Sequence, residues 1–425
     1  MRNLSKLLLA SLALLATTPL AFAQDKPALK PSDHDQLAKA IAGYYKALDE
    51  DEAQASALDK VRKQIETFEK RKDQAPVLSL VRDWERVLSL ALAPTGAGKK
   101  GGTNVEFEVD KVKFKYYLWV PKEYAPKAGA LPLILILPDA GKKPQETIDV
   151  SWVDPDLRSK AILATIAMPA DPKQWADFGS GTAPGGLSIA MRVLSNLRRN
   201  YAIDSNRIFV CGMGASVATA GRLGALFPHV FAGVIGRGGD LDVLPASNFK
   251  SLPTLWSGGG ANCTAFAEQS EKLGDKSCTL DPGANEAKIW AWIQQQTRSM
   301  TPSSVRLSPL HARNGRAYWI TVDRFDADAK DKPWIEAQAD RATNKITVTG
   351  SGIEQVTLYF NDSLVDMAKP IEVSLNGETK KLEPKRNLET LLRGAYDSSD
   401  SGRVFAHFET FVLPKPAAKG EGKKP

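Results

Sequence analysis

Residues 207–220 read Arg207-Ile-Phe-Val-Cys-Gly-Met-Gly-Ala-Ser216-Val-Ala-Thr-Ala220. The run Ile208 to Cys211 is apolar at every position, as a strand buried on both faces requires. Gly214 can take a positive φ without steric penalty, so the chain can turn sharply there. From Ala215 the residues are small, so a helix can start at once and lie close to the strand. A strand, a glycine turn and a small-residue helix in that order predict the centre of an α/β sheet.

The neighbouring segments extend this pattern. Upstream, Leu131 to Leu137 and Ala161 to Met168 are further apolar strands, and Leu187 to Tyr201 is an amphipathic helix. Downstream come strands at Val230 to Ile235 and Leu252 to Ser257. A helix follows at Cys263 to Leu273, then a short strand at Ser277 to Leu280 and a closing helix at Glu286 to Arg298. Val105 to Val109 and Lys111 to Val120 alternate as an antiparallel hairpin turning at Asp110-Lys111. Strands alternating with helices over residues 104–300 predict a mostly parallel sheet covered by helices on both faces.

Different patterns flank this region. Residues 1–23 carry Arg2 and Lys6, an apolar run from Leu7 to Ala16, and Ala21-Phe-Ala23 as a small-x-small cleavage site. Together these read as a secretory signal peptide. Residues 24–95 are helical by period, with Leu37, Ile41, Tyr44 and Leu48, then Leu58, Val61, Ile65 and Phe68, on recurring faces. Pro76 is placed to start a third helix, with Val77, Leu80, Val81, Trp84 and Leu88 on its buried side. Pro94 to Gly102 reads as a flexible linker. After Thr301 short alternating strands recur to about residue 413, with a hairpin signal at Asn376-Gly377, and predict a β-sandwich module. Residues 414–425 read as a disordered tail.

The chain has 425 residues, 43% hydrophobic and 25% charged, as expected of a globular protein. Its formal charge of +7 becomes +5 without Arg2 and Lys6. The basic pairs Lys99-Lys100 and Lys423-Lys424 lie in linker and tail without interleaved aromatics, so nucleic acid is not an expected partner. No run after the signal approaches the ~18 apolar residues of a spanning helix. The mature chain is expected to be soluble and exported, in the periplasm or outside. His34, His229, His311 and His407 are far apart in sequence, and no Cys/His spacing suggests a metal, so neither metal nor cofactor is expected. Of the three cysteines, Cys263 and Cys278 are the more plausible disulfide pair, because Cys211 lies on the central strand.

Residues 104–298 resemble the α/β-hydrolase superfamily, in its secreted carboxylesterase, depolymerase-like or phospholipase-like branch. The resemblance rests on Leu197-Arg-Arg-Asn-Tyr-Ala-Ile-Asp-Ser-Asn-Arg-Ile-Phe-Val-Cys-Gly-Met-Gly-Ala-Ser216 and on Leu226-Phe-Pro-His-Val-Phe-Ala-Gly-Val-Ile235. It implies a nucleophile elbow, G-x-S-x-G, in which a strained turn lifts a serine above the sheet. On that pattern Gly212 and Met213 fit, Gly214 stands where the serine belongs, and Ser216 stands at the second glycine. The acid loop, Ser257 to Cys263, offers Ala261 or Asn262 and no carboxylate. The base loop, Leu280 to Glu286, has no histidine. The oxyanion loop, Pro138-Asp-Ala-Gly141, places Asp139 near a spot meant for negative charge. The site therefore reads as degenerate, and the chain as a binding or assembly module for an unidentified ligand or protein. Asp139, Gly141, Met213, Gly214 and Asn262 are the cleft candidates, and Trp175 and Trp256 line the cleft or belong to the core. The alternative is an active esterase in which a displaced Ser216 works with His311 and Asp240 or Asp242.

Overall fold

The computed structural model describes residues 29–94, 96, 98–126, 128–311 and 314–416. The signal-peptide reading of residues 1–23 lies outside them.

The central sheet has eight strands: β1 (Gly101–Val109), β2 (Val112–Val120), β3 (Leu131–Leu137), β4 (Ile162–Ile166), β5 (Ile203–Met213), β6 (Gly233–Arg237), β7 (Thr254–Ser257) and β8 (Cys278–Leu280). Their spatial order is β1-β2-β4-β3-β5-β6-β7-β8. β2 runs antiparallel to both its neighbours, and every other pairing is parallel. The β1–β2 hairpin turns at Asp110 and Lys111, whose φ angles of 51° and 63° are those of a tight turn that keeps the strand twist.

The two-residue period of a strand sends its side chains to opposite faces, and β3 shows the result. Leu133, Leu135 and Leu137 join a core with helices α6 (Gly186–Asn200) and α7 (Val217–Leu226). Ile134 and Ile136 join a second core, with α4 (Pro144–Ser151), α5 (Pro155–Lys160) and α9 (Glu286–Gln295). Each of these side chains is wholly buried, a stabilisation of about 1.5–3 kcal/mol apiece. The last helix of this layer, α8 (Ala261–Lys272), packs Cys263 and Phe266 into the first core. A mostly parallel sheet with helices on both faces is the predicted α/β architecture.

Apart from a two-stranded ribbon of Gly179–Ser180 with Ala183–Pro184, the remaining strands form two further sheets. One holds β9 (Ser304–Leu307), β12 (Trp334–Asp340), β13 (Lys345–Ser351), β15 (Ile371–Leu375) and β16 (Glu378–Leu382). The other holds β10 (Arg316–Ala317), β11 (Ile320–Phe325), β14 (Ile353–Phe360) and β17 (His407–Val412). The single strand expected over 317–322 is broken at Tyr318, whose φ of 53° is outside extended backbone. Asn376 and Gly377 make the expected hairpin between β15 and β16, at φ 46° and 94°.

Helices α1 (Pro31–Lys46), α2 (Asp51–Glu69) and α3 (Val81–Ala91) share one buried core with these two sheets and with α10 (Leu388–Ser398). The Tyr45 hydroxyl donates to the Leu392 carbonyl at 3.1 Å, and the Tyr45 and Tyr396 rings lie 4.7 Å apart. Where the helices meet the central sheet, Arg298 is a buried hub. It donates to both oxygens of Asp400 at 2.7 Å, to the His229 carbonyl at 2.7 Å and to Asn206 Oδ1 at 2.9 Å.

Several local expectations are corrected. The linker ends earlier than expected, because Gly101 and Gly102 already pair with Val120 and Trp119 in β1–β2. Pro76 precedes only a short 3-10 turn, Val77–Ser79, and α3 begins at Val81. No Cys263–Cys278 bridge exists; all three cysteines are free thiols. The Cys263 sulfur faces the Gly239 carbonyl at 3.9 Å instead. The tail is anchored where it starts, by Asn376 donating to the Pro414 carbonyl at 2.6 Å and Lys415 pairing with Asp326 at 3.2 Å. Residues 417–425 lie outside the described part.

Candidate functional site

β5 delivers Gly214 to the carboxyl edge of the sheet, where ligands of open α/β sheets bind. Gly214 takes φ +52° and opens a 3-10 turn, Gly214–Ser216, that runs straight into α7. Gly212 is required two residues earlier, since a Cβ there would overlap the Ser216 carbonyl and Val217 Cα. The backbone of an elbow is therefore intact.

What fills the elbow is a carboxylate from another strand. Asp139, just after β3, accepts the amide of Ala140 at 2.7 Å and the amide of Ala215 at 2.9 Å through the same oxygen, Oδ1. A side chain added to Gly214 would overlap the Asp139 carboxyl group. In the hydrolase arrangement the amide following the nucleophile stabilises the oxyanion, and here that amide belongs to Ala215. Asp139 thus fills the space above Gly214 and takes the Ala215 amide. The Asp139–Lys142 turn, closed by the Lys142 amide on the Asp139 carbonyl at 3.1 Å, holds Gly141 at φ +72°.

The other candidates are engaged in structural roles. Ser216 is fully buried and its hydroxyl donates to the Pro138 carbonyl at 2.5 Å. Asp240 accepts the amides of Leu241, Asn262 and Cys263 at 2.9, 3.1 and 2.9 Å, so it satisfies the first turn of α8. Burial raises its carboxyl pKa, and these amide donors outweigh that, leaving it below the ordinary value. Asn262 donates in turn to the Leu241 carbonyl at 2.7 Å. Asp242 pairs with Arg222 at 2.9 Å on the surface. His311 is exposed and its ring lies 5.4 Å from that of Phe178. Met213 is half-buried against the α4–α9 core.

Trp256 is wholly buried against Phe266, and Trp175 donates to the Pro169 carbonyl at 2.7 Å, so both belong to the packed interior. Two of the three free thiols, Cys211 and Cys263, are buried. Burial pushes Cys211 up to about 12, and burial with the neighbouring Asp240 pushes Cys263 up to about 11, so both stay protonated near neutral pH. His229, expected on a surface turn, is half-buried with its Nδ1 enclosed. Burial and the guanidinium groups of Arg316, Arg298 and Arg403 hold its pKa well below the usual value.

Two grooves lie away from the elbow. A groove of about 380 Å³ runs between α10 and the β14–β17 sheet, lined by Tyr359, Arg393, Arg403, Phe405 and Phe408 among others. Another, of about 480 Å³, lies along β12 and β13. No elbow residue lines either one. Among the described residues there is no group of three or more His, Cys, Asp or Glu able to hold a metal, and no helix long and apolar enough to cross a membrane.

No family model and no curated protein matches this sequence. Solved structures do. A thermostable esterase is similar at 19% identity and a TM-score of 0.39, over 46% of this chain and 63% of its own, so the chain spans less than two thirds of it. An S-formylglutathione hydrolase from Staphylococcus aureus is similar at 8% identity and a TM-score of 0.37, over 46% of this chain and 98% of its own. A ferulic acid esterase from the fungus Anaeromyces mucronatus is similar at 11% identity and a TM-score of 0.36, over 48% of this chain and 94% of its own. Strand order, helical layers and elbow backbone make this a chain with an α/β-hydrolase-like fold.

Proposed function

We propose that this is an exported α/β-hydrolase-like protein that has lost serine-hydrolase catalysis and acts as a binding or assembly module. The observation that carries the reading is the Asp139 carboxylate, which stands over Gly214 and takes the Ala215 amide. Acyl transfer needs a nucleophile, a base within reach of it and donors aimed at the developing oxyanion. A fixed carboxylate opposes the last of these, because it puts negative charge where negative charge would develop. Supporting features are the glycine at the nucleophile position and the structural engagement of Ser216, Asp240 and Asp242. Export is supported by the sequence of residues 1–23 alone.

The test is hydrolysis of p-nitrophenyl acetate and butyrate by the purified chain lacking residues 1–23, alongside Gly214→Ser and Ser216→Ala. All three proteins are expected to match the buffer blank. Turnover by the unaltered chain that Ser216→Ala abolishes would overturn the proposal, and so would serine-dependent turnover by Gly214→Ser.

A further inference from the structure

An unpaired strand edge lies near the carboxyl end of the chain. β17 is the last strand of its four-stranded sheet, in the order β10-β11-β14-β17, and pairs only with β14. The ladder shows which of its residues face outward. The Leu413 amide donates to the Glu354 carbonyl at 2.9 Å, and the Tyr359 amide donates away from β17, to the Trp319 carbonyl at 2.9 Å. Phe408 stands opposite Tyr359, Thr410 opposite Thr357 and Val412 opposite Gln355. By the alternation of an antiparallel pair, Phe408, Thr410 and Val412 turn their N–H and C=O groups away from β14. None of these three amides has another backbone partner among the described residues. Their side chains are exposed as well, Phe408 by 50% and Val412 by 59%.

A bare strand edge is a template for another strand, and charged side chains or proline usually guard it. The edge strand β1 carries Glu106 and Glu108, and the edge strand β16 carries Lys380 and Lys381. The outward residues of β17 carry no charge. The ladder they offer is bounded on both sides. Before it, the Ala406 amide is taken by the Phe360 carbonyl at 3.1 Å. After it, Pro414 has no N–H to give. The available ladder is therefore Phe408, Thr410 and Val412, centred on Thr410, and these bounds set the register of any strand added to it.

We propose that β17 is an interface between two copies of this chain, paired antiparallel about a twofold axis at Thr410. That axis sets Thr410 opposite Thr410, and Phe408 opposite Val412 on either side. Thr–Thr and aromatic–β-branched pairs are favourable cross-strand neighbours. Every outward amide and carbonyl of the ladder gains its partner. Glu409 falls opposite Phe411, so no like charges meet. Because the same patch meets itself, the assembly closes at two copies, and their four-stranded sheets join into one. An extended peptide of another protein could use the same edge, but the symmetry of the ladder about Thr410 fits a second copy. The six residues of β17 span only about 20 Å, so the copies associate reversibly. The inference is independent of whether the elbow is catalytic.

Sedimentation velocity of the chain lacking residues 1–23 tests it, from about 1 μM to about 1 mM, the range of weak specific association. The mass is expected to rise from one copy to two and stop there. Thr410→Pro removes an outward N–H, a change that edge strands tolerate, and should leave a single copy throughout. Val412→Lys alters a position already 59% exposed. Both copies carry the change, so the dissociation constant should rise about tenfold. Adding Phe408→Glu to Val412→Lys sets opposite charges across the axis and should recover most of that loss. If Thr410→Pro does not fold, Val412→Lys and the double variant decide. A single copy at every concentration would overturn the proposal, even if that chain bound extended peptides at β17. So would a dimer unaffected by Thr410→Pro and Val412→Lys, or a double variant weaker than Val412→Lys alone.

Discussion

The two ends of β5 are built on opposite terms. At its carboxyl end, Gly214 and Asp139 stand half-exposed and are joined through backbone amides. At its amino end, Asn206 sits in a buried cluster with Arg298, Asp400 and Glu85, where one arginine makes a two-pronged bond to a carboxylate that is 5% exposed. In an open α/β sheet the carboxyl end is where chemistry is done. Here that end is the electrostatically modest one, and the costly desolvation of charge lies at the far end. The lesson is that one strand can end in a backbone-held carboxylate at one edge of the sheet while the buried charged interactions are concentrated at the other.

The strongest way to break this contrast is at the amino end. Asp400→Asn leaves Arg298 buried without its anion and should cost about 3–5 kcal/mol in urea unfolding. Burial alone would raise the Asp400 carboxyl, but Arg298 and Arg198 override it and hold it well below the usual range. Its contribution should thus be complete above the unfolded value of about 3.9 and be lost as pH falls below that toward the folded one. A pH series of unfolding midpoints, less steep in this region for Asp400→Asn than for the parent, checks the sign.

At the carboxyl end the effects should be smaller. Gly214→Ser forces a side chain into φ +52° and against Asp139, for a loss of about 1–3 kcal/mol. Adding Asp139→Ala removes the overlap, so the double variant should be more stable than the single one by urea midpoint. Asp240→Ala deprives the first turn of α8 of its acceptor, and about 1 kcal/mol should be lost, read the same way. Asp242→Ala breaks only the exposed pair with Arg222, whose side chains are 45% and 39% exposed. Its effect should stay below about 1 kcal/mol. If Asp242→Ala proved as damaging as Asp400→Asn, the contrast between the two kinds of site would fail.

What could be read from the sequence was what depends on neighbouring residues. The apolar runs of β3 and β5, the glycine turn between β5 and α7, and the hairpins at Asp110-Lys111 and Asn376-Gly377 all follow from local periodicity and φ preference. The absence of a serine at Gly214 was equally plain. The resemblance also put Asp139 near this turn, but its bond to Ala215 had no sequence signal, because it joins residues 76 apart and depends on β3 lying beside β5. For the same reason the Arg298–Asp400 bond, across 102 residues, had no sequence signal. Cys263 and Cys278 were paired by elimination, and elimination carries no information on direction: the Cys263 sulfur points toward Gly239.

The bond from Tyr45 to Leu392 joins residues 347 apart. On a ribosome, or on a chain threading amino end first through a membrane, one partner exists long before the other. The Tyr45 hydroxyl lacks its acceptor, and the Tyr45 ring lacks Tyr396 beside it, until α10 has emerged. A chain shortened before residue 388 would keep both gaps, and it should be caught by holdase chaperones and cut by proteases that leave the full chain alone. Completion of the last tenth of the polypeptide is thus the event that closes the first.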